Sequence, residues 1–311
     1  MTMRDVFFNR LYEYAKKDRN IVIVSADFSA PSLDKYRLEM PGQYVFCGIS
    51  EQSMILLATG LALEGKKVFC YAIAPFLTMR CFEQIRNYPA GMNLPITLVG
   101  VGAGVAYDDS GYTHHVMEDI AIMRTLPHMR VFQPCDNADV ERILEYSMQA
   151  SHPMYVRLDR YGIDAMYKGE RNVCTGLSVV ETPQKVTIVA SGSMVKVALE
   201  VHDQIFAEGR QVGLINLTSI PVDGDEFERL MSGVQTIITM EEHTTIGGIG
   251  SYILEIISER NLDIKVKRVG FDLSDGYVEH FGGRKTIYRT YRMDTEAVSA
   301  LIRKEQDECI H

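Results

Sequence analysis

An alternation limits most strongly what this chain can fold into. Short, predominantly apolar runs (Ile21 to Val24, Lys67 to Ala72, Ile96 to Val101, Met129 to Phe132 and Met154 to Leu158) are separated by stretches whose apolar residues recur at helical spacing. The helical stretches are Met3 to Lys17, with Val6, Phe7, Leu11 and Tyr14 on one face, then Gln52 to Leu63, Leu77 to Asn87, Glu118 to Thr125 and Asn137 to Gln149. A strand that is apolar on both faces has cover on both, and helices between strands supply the crossovers of a parallel sheet. Such sheets present ligand-binding loops beyond the carboxyl ends of their strands.

Between Tyr161 and Gln184 the periodicity lapses into polar sequence containing Lys168-Gly169-Glu170-Arg171-Asn172, and then it restarts. Strands are expected at Val186 to Ala190, Val212 to Asn216, Thr236 to Met240 and Ile264 to Val269, with helices at Met194 to Ala207, Gly250 to Glu259 and Thr295 to Arg303. The expected architecture is α/β: two doubly wound, mainly parallel-sheet domains, 1–165 and 185–311, joined by a linker over 166–184. With 311 residues, 46% of them hydrophobic, the chain has material for two cores.

A balance of 32 basic to 41 acidic residues, net −9, argues against a nucleic-acid or membrane-surface binder. Six cysteines lie scattered without a C-x-x-C pair and read as free thiols of a reducing compartment. The N-terminal stretch lacks a signal-peptide apolar region and no run is long enough to span a bilayer, so a soluble cytoplasmic protein is expected.

Several expected strand-end loops carry polar residues of interest. After Tyr44-Val45-Phe46-Cys47-Gly48-Ile49 comes Ser50-Glu51-Gln52, which reads either as a helix start, with Ser50 as N-cap and Glu51 favoured by the helix dipole, or as a buried catalytic acid. Ser25 to Ser32 reads as a plain polar loop, and Pro75-Phe76 as a helix entry. Gly100-Val101-Gly102-Ala103-Gly104 lacks the third glycine and the distal acid of a dinucleotide fingerprint. Tyr107 to His115 brings two histidines among carboxylates, which suits acid–base work better than a metal, because adjacent histidines do not easily share one ion. Arg160, just past a strand, fits either a surface ion pair or an anion clamp. Asp223-Gly224-Asp225 reads as a turn.

Taken in order, these segments resemble the C-terminal half of transketolases, its pyrimidine-binding and C-terminal domains. The residues that carry the resemblance are Ser25-Ala26-Asp27, Gly48-Ile49-Ser50-Glu51-Gln52, Arg80 with Phe82-Glu83-Gln84-Ile85-Arg86, Gly111-Tyr112-Thr113-His114, Glu118-Asp119-Ile120-Ala121, and Glu241-Glu242-His243 with Gly247-Gly248-Ile249-Gly250-Ser251. The Gly-Asp-Gly sequence with which this superfamily holds the cofactor's diphosphate occurs nowhere in the chain. The resemblance therefore implies the C-terminal subunit of a split, thiamine-diphosphate-dependent transketolase. Its partner would be an N-terminal subunit carrying the diphosphate-binding domain and the ligands of a Mg²⁺ or Ca²⁺ ion, in an α2β2 assembly active only when complete.

The same resemblance assigns roles. Glu51 would meet N1′ of the cofactor's aminopyrimidine and promote the imino form that deprotonates the thiazolium carbon, Phe76 would stack on the pyrimidine, and His114 would serve the ketose oxygens. Asp27, Ile73 and Arg80 join Glu51 and Phe76 as expected cofactor contacts. Arg160, Ser29, Ser32, Ser110, Asp109 and His115 are expected substrate contacts, with Arg160 on a distal phosphate. Three departures put pentose phosphates in doubt: Ser110 stands where the family has aspartate, Gly102 or Ala103 where it has a phosphate-binding histidine, and His115 where it has glutamine. The alternatives are a decarboxylating subunit, akin to deoxyxylulose-phosphate synthase or the β chain of a 2-oxoacid dehydrogenase, a non-catalytic homologue, or a nucleotide-binding α/β protein.

Overall fold

The structure is a computed structural model describing residues 1–26, 30–279 and 282–308. Helix α1 (Met3–Ala15) leads into β1 (Ile21–Ser25), followed by α2 (Asp34–Glu39), β2 (Tyr44–Phe46), α3 (Glu51–Leu63) and β3 (Lys67–Ile73). Then come α4 (Ala74–Thr78), α5 (Phe82–Ile85), β4 (Ile96–Val101), α6 (Asp119–Met123), β5 (Arg130–Phe132), α7 (Asn137–Ser147) and β6 (Met154–Leu158). Six of these strands are parallel, in the order β5-β6-β4-β3-β1-β2. Alternate residues of β1 feed opposite layers: Ile21 and Ile23 join Phe7, Phe8 and Leu11 of α1, whereas Val22 and Val24 join Met54, Ile55 and Ala58 of α3. This is the two-sided burial expected of a continuous apolar strand.

The second unit comprises β7 (Leu177–Glu181), β8 (Val186–Ala190), α8 (Met194–Ala207), β9 (Gly213–Leu217), β10 (Ser219–Ile220), α9 (Gly224–Leu230), β11 (Thr236–Thr244), α10 (Ile249–Glu259), β12 (Lys265–Phe271), α11 (Arg284–Thr290) and α12 (Thr295–Glu308). Its sheet runs β12-β11-β8-β9-β7, with β7 antiparallel on the edge. Both sheets are wound in two directions from an inner strand, β1 and β8, as the doubly wound reading requires.

Local departures have local causes. The helix expected over Leu77 to Asn87 is broken: Pro75 starts α4, the chain kinks at Met79-Arg80-Cys81, and a π-type turn at Arg86–Ala90 accommodates Pro89, which has no N–H to donate. Part of the polar 166–184 segment forms β7, whose Leu177 is buried while Val179 is exposed. Asp223-Gly224-Asp225 opens α9 instead of making a simple turn, because the Asp223 carboxylate accepts from the N–H groups of Asp225 and Glu226. The two-residue strand β10 leaves its own unit and pairs antiparallel with β5, so the first sheet gains a seventh strand from the second half of the chain.

Candidate active site

Four segments meet beyond the carboxyl ends of the first sheet, those that follow β2, β3, β4 and β6. Glu51 begins α3, and Gly48, with φ +71°, supplies the left-handed turn that brings the chain round after β2. Ser50 precedes the helix but does not cap it with its side chain; its hydroxyl donates to the Cys47 carbonyl at 2.6 Å. The Glu51 carboxylate is buried, only 4% exposed, and accepts from Arg80 Nη1 at 2.6 Å. Arg80 comes from the kink between α4 and α5, and its guanidinium lies 4.3 Å from the ring centroid of Phe76 in α4. Phe76 in turn meets the His114 ring edge-on at 5.3 Å. The broken helix is what delivers both Phe76 and Arg80 to Glu51.

The loop after β4 completes the cluster. Tyr107 lies 6.0 Å from the His114 ring, and the Arg160 guanidinium, two residues past β6, lies 4.8 Å from the Tyr107 ring. Arg160 Nη1 also donates to Asp109 at 3.2 Å, and Ser110 donates its hydroxyl to the same carboxylate at 2.9 Å. The Ser110 hydroxyl is the leading influence holding the Asp109 carboxyl below its usual range. Thr113 Oγ1 lies 3.1 Å from His114 Nδ1. Glu51, Arg80, Phe76, His114, Tyr107, Arg160 and Asp109 thus form one connected chain of contacts.

The other expected site residues fall outside this chain of contacts or beneath it. His115 is buried, with Nε2 3.1 Å from the Tyr107 carbonyl, and burial holds its imidazole below its ordinary pKa. Ile73 is half-buried at the end of β3 and packs toward the α1 layer, and Ser32 is buried in the short turn Pro31–Leu33. Asp27 and Ser29 lie outside the described residues.

Tyr107 had no assigned role in the sequence, yet it links His114 to Arg160. The signal for it was the nearby Gly102. With φ +97°, this glycine leaves room for the Tyr107 ring, and a Cβ there would sit 2.2 Å from Tyr107 Cε2. Gly104 does the same for a carboxylate, because its missing side chain admits Glu242 of the second domain. The glycines after β4 therefore make space for a ring and an acid.

The Glu241-Glu242-His243 motif, at the end of β11, lies fully buried between the domains. Glu241 accepts from the N–H groups of Ile249 and Gly250 at 2.7 and 3.0 Å, capping α10. Glu242 accepts from Arg284, Ser193 Oγ and the Val105 N–H. Arg284 continues to Asp159 at 2.7 Å and, through its backbone N–H, to Asp108 at 2.9 Å. His243 accepts from the Ala121 N–H at Nε2 and lies 2.7 Å from the Thr244 carbonyl at Nδ1; burial pushes its pKa down to about 4. Arg157, near the end of β6, is buried and bonds Asp119 together with the carbonyls of Val116 and Glu242. Asp119 also accepts from Tyr155. These residues join the domains, and the Arg284 partners Asp108 and Asp159 directly precede Asp109 and Arg160 of the cluster around Glu51. Among the described residues, a group with metal-like spacing, Cys135, Asp136 and Asp139, already has Arg171 donating to both carboxylates.

Residues 1–163 match the family described as transketolase, pyrimidine binding domain, and residues 177–298 match transketolase, C-terminal domain. The chain belongs to the transketolase family. It is 31% identical to one of the subunits of the apulose-4-phosphate transketolase of Phocaeicola vulgatus, over 95% of this chain and 94% of that one. It is also 31% identical to a 6-deoxy-6-sulfo-D-fructose transketolase subunit, SqwH, of a Clostridium species, over 94% of each. A solved structure described as a split gene transketolase, inactive beta4 tetramer, superposes with TM-score 0.85 at 30% identity, covering 98% of this chain and 97% of that one. Against the transketolase of Campylobacter jejuni the TM-score is 0.80 at 18% identity, and this chain covers 46% of that longer one, so the likeness there is of fold alone. No helix among the described residues is long and apolar enough to cross a membrane.

Proposed function

We propose that this chain is the C-terminal subunit of a split transketolase, which transfers a two-carbon ketol unit from a ketose, phosphorylated or not, to an aldehyde acceptor with thiamine diphosphate. The observation that carries the reading is the buried Glu51 carboxylate held in one cluster with Phe76 and His114 at the sheet's ligand-binding end. That the relatives matched from end to end are named as separate transketolase subunits supports it. In this reading residues 1–165 form the pyrimidine-binding domain and 185–311 the C-terminal domain.

The residues present fit one half of the cofactor. A flat guanidinium already rests against Phe76 while donating to Glu51, so the pocket accepts a planar group carrying a hydrogen-bond donor. Glu51, Phe76, Arg80, Ile73 and Asp27 would hold the aminopyrimidine; the diphosphate and its Mg²⁺ or Ca²⁺ would be held by the partner. When bound, the cofactor supplies the carbon nucleophile. Glu51 would hold or share a proton at the ring nitrogen, at a position that burial shields from water. His114 presents its imidazole to the substrate oxygens, and Arg160, with Asp109, Ser110 and Tyr107, orients the far end of the sugar.

Helix α3 supports the need for a partner. From Glu51 it turns Leu56, Leu57 and Leu63 to the exterior, and the adjoining Ile49 is 88% exposed. An apolar face that begins at the catalytic carboxylate fits the surface on which an N-terminal subunit completes the site, in an α2β2 assembly. The test is reconstitution with a diphosphate-binding subunit, followed by assays for ketol transfer and for carbon dioxide release from pyruvate. Transfer that depends on both chains is the expected result; carbon dioxide release without transfer would place the chain with the decarboxylating enzymes.

A further inference from the structure

The second domain reaches the loop that carries His114. Between β12 and α11 the chain turns over Leu273 to Gly276, where the Gly276 N–H donates to the Leu273 carbonyl at 3.1 Å, and Gly276 holds φ +119°, a conformation that favours glycine. The next two residues separate. Val278 is fully buried in the core of the second domain, and Tyr277 stays 55% exposed with its ring on that of Tyr112. The two rings are nearly parallel, 12° apart with centroids at 5.5 Å, the offset-stacked arrangement that aromatic pairs favour.

Tyr112 belongs to the turn that presents His114. Gly111, with φ +75°, starts this turn, and its carbonyl accepts from the N–H groups of His114 and His115 at 3.0 and 3.2 Å. The imidazole of His114 lies beside Thr113 of the same turn and meets Phe76 and Tyr107 through ring edges. Its place therefore follows the place of the turn. The second-domain segment that meets this turn is itself anchored. Val278 holds it on one side of the stack, and a few residues on Arg284 bonds Asp108 through its backbone N–H and Asp159 through its guanidinium. A surface aromatic pair without such anchors could slide; here Tyr277 is bracketed by two fixed residues.

We propose that Tyr277 is a positioning residue: its stack on Tyr112 ties the turn 111–114 to the second domain and so sets where His114 presents its imidazole. The consequence for catalysis rests on the ketol-transfer reading; the placement of His114 within the chain does not.

Histidine-selective proton–carbon NMR of the full chain tests the placement, with the His114 signal identified by its loss in His114→Asn. Set against two rings, His114 should carry a ring-current shift, and in Tyr277→Ala its resonance should move toward that of a free imidazole. Tyr277→Phe, which keeps the ring, should restore the parent position. Tyr277 is more than half exposed, so Tyr277→Ala should fold, and an unmoved resonance of the fully buried His243 checks that it does. In the reconstituted pair Tyr277→Ala should lower kcat about tenfold, because a small displacement of an acting group is costly, and Tyr277→Phe should recover most of it. Adding Tyr112→Ala to Tyr277→Ala should change neither readout much further, since each removes the same stack. An unmoved His114 resonance in Tyr277→Ala, or a moved one with kcat unchanged, would overturn the proposal. A parent pair that transfers no ketol unit would sink the functional reading alone, because the resonance reports the placement of His114 without a substrate.

Discussion

Two groups of charged residues stand at strand ends, Glu51 with Arg80 on the first sheet and Glu242 with Arg284 on the second, and they are built for opposite ends. Each pairs a buried carboxylate with an arginine. The Arg80 side chain remains 43% exposed and makes one bond to its acid, whereas the Arg284 side chain is 16% exposed and is held by Glu242, Asp159 and a carbonyl. A carboxylate with one replaceable partner is available to a ligand; a carboxylate with three protein donors is committed to structure. Residue type and position at a strand end are therefore not enough to assign a role. What separates the two is how many of the hydrogen bonds the protein itself has already made.

The largest expected effect breaks the comparison on the catalytic side. Glu51→Gln should lower ketol transfer in the reconstituted enzyme by about 10²–10⁴-fold, the usual contribution of a positioned acid or base, while leaving the urea midpoint of the chain unchanged. Glu242→Ala should behave in reverse. Removing one partner of a buried pair strands the other charge, so unfolding free energy should fall by about 3–5 kcal/mol, measured by urea denaturation. A Glu242 variant of normal stability but lost activity would reverse the assignment of the two clusters.

The sequence made the skeleton of this comparison legible but not its contents. Strands apolar on both faces, such as Ile21 to Val24 and Ile96 to Val101, announced the parallel sheets, and the order of motifs brought Glu51, Phe76, His114 and Arg160 to one side of one sheet. The burial of Arg157 was not legible, because its partners Asp119, Val116 and Glu242 are brought together only by tertiary packing. Arg284 carried no signal beyond two preceding glycines. The pairing of β10 with β5 was equally hidden, since two residues are too few to show a period. Tyr107 shows the same limit: Gly102 is visible in sequence, but the ring that fills its empty side is not.

A smaller effect concerns acid stability at the domain joint. His243 is held at about 4 against an ordinary 6.5, so the unfolded chain takes up a proton that the folded one refuses. Its contribution is present above pH 6.5 and is lost as pH falls toward 4. Glu241, pushed up to about 7 by burial, has the opposite sign: its contribution is present below 4.5 and is lost as pH rises through 7. The two oppose one another between pH 4.5 and 6.5. Urea midpoints across that range should therefore fall more steeply on acidification in Glu241→Gln than in the parent chain, and should rise in His243→Gln. Parallel profiles for all three proteins would remove both groups from the pH dependence.

The smaller of the two losses of stability is expected where the comparison is sharpest, at Arg80. The guanidinium is nearly half in water, but Arg80→Ala leaves the buried Glu51 carboxylate without the arginine that donates to it, so unfolding free energy should fall by about 1–3 kcal/mol, less than at Glu242. Binding tells more, because Arg80 occupies both the acid and the ring face that the aminopyrimidine would use. If the side chain only fills that space until the cofactor arrives, its removal should strengthen thiamine diphosphate binding in the reconstituted enzyme by a fewfold. If it stays and holds Glu51 in place for the cofactor, binding should weaken and Arg80→Lys should recover part of it, since an ammonium can keep the charge but not the flat stack on Phe76. Calorimetric dissociation constants for the two variants separate these cases, and the same pair of changes at Arg284 should register mainly as lost stability.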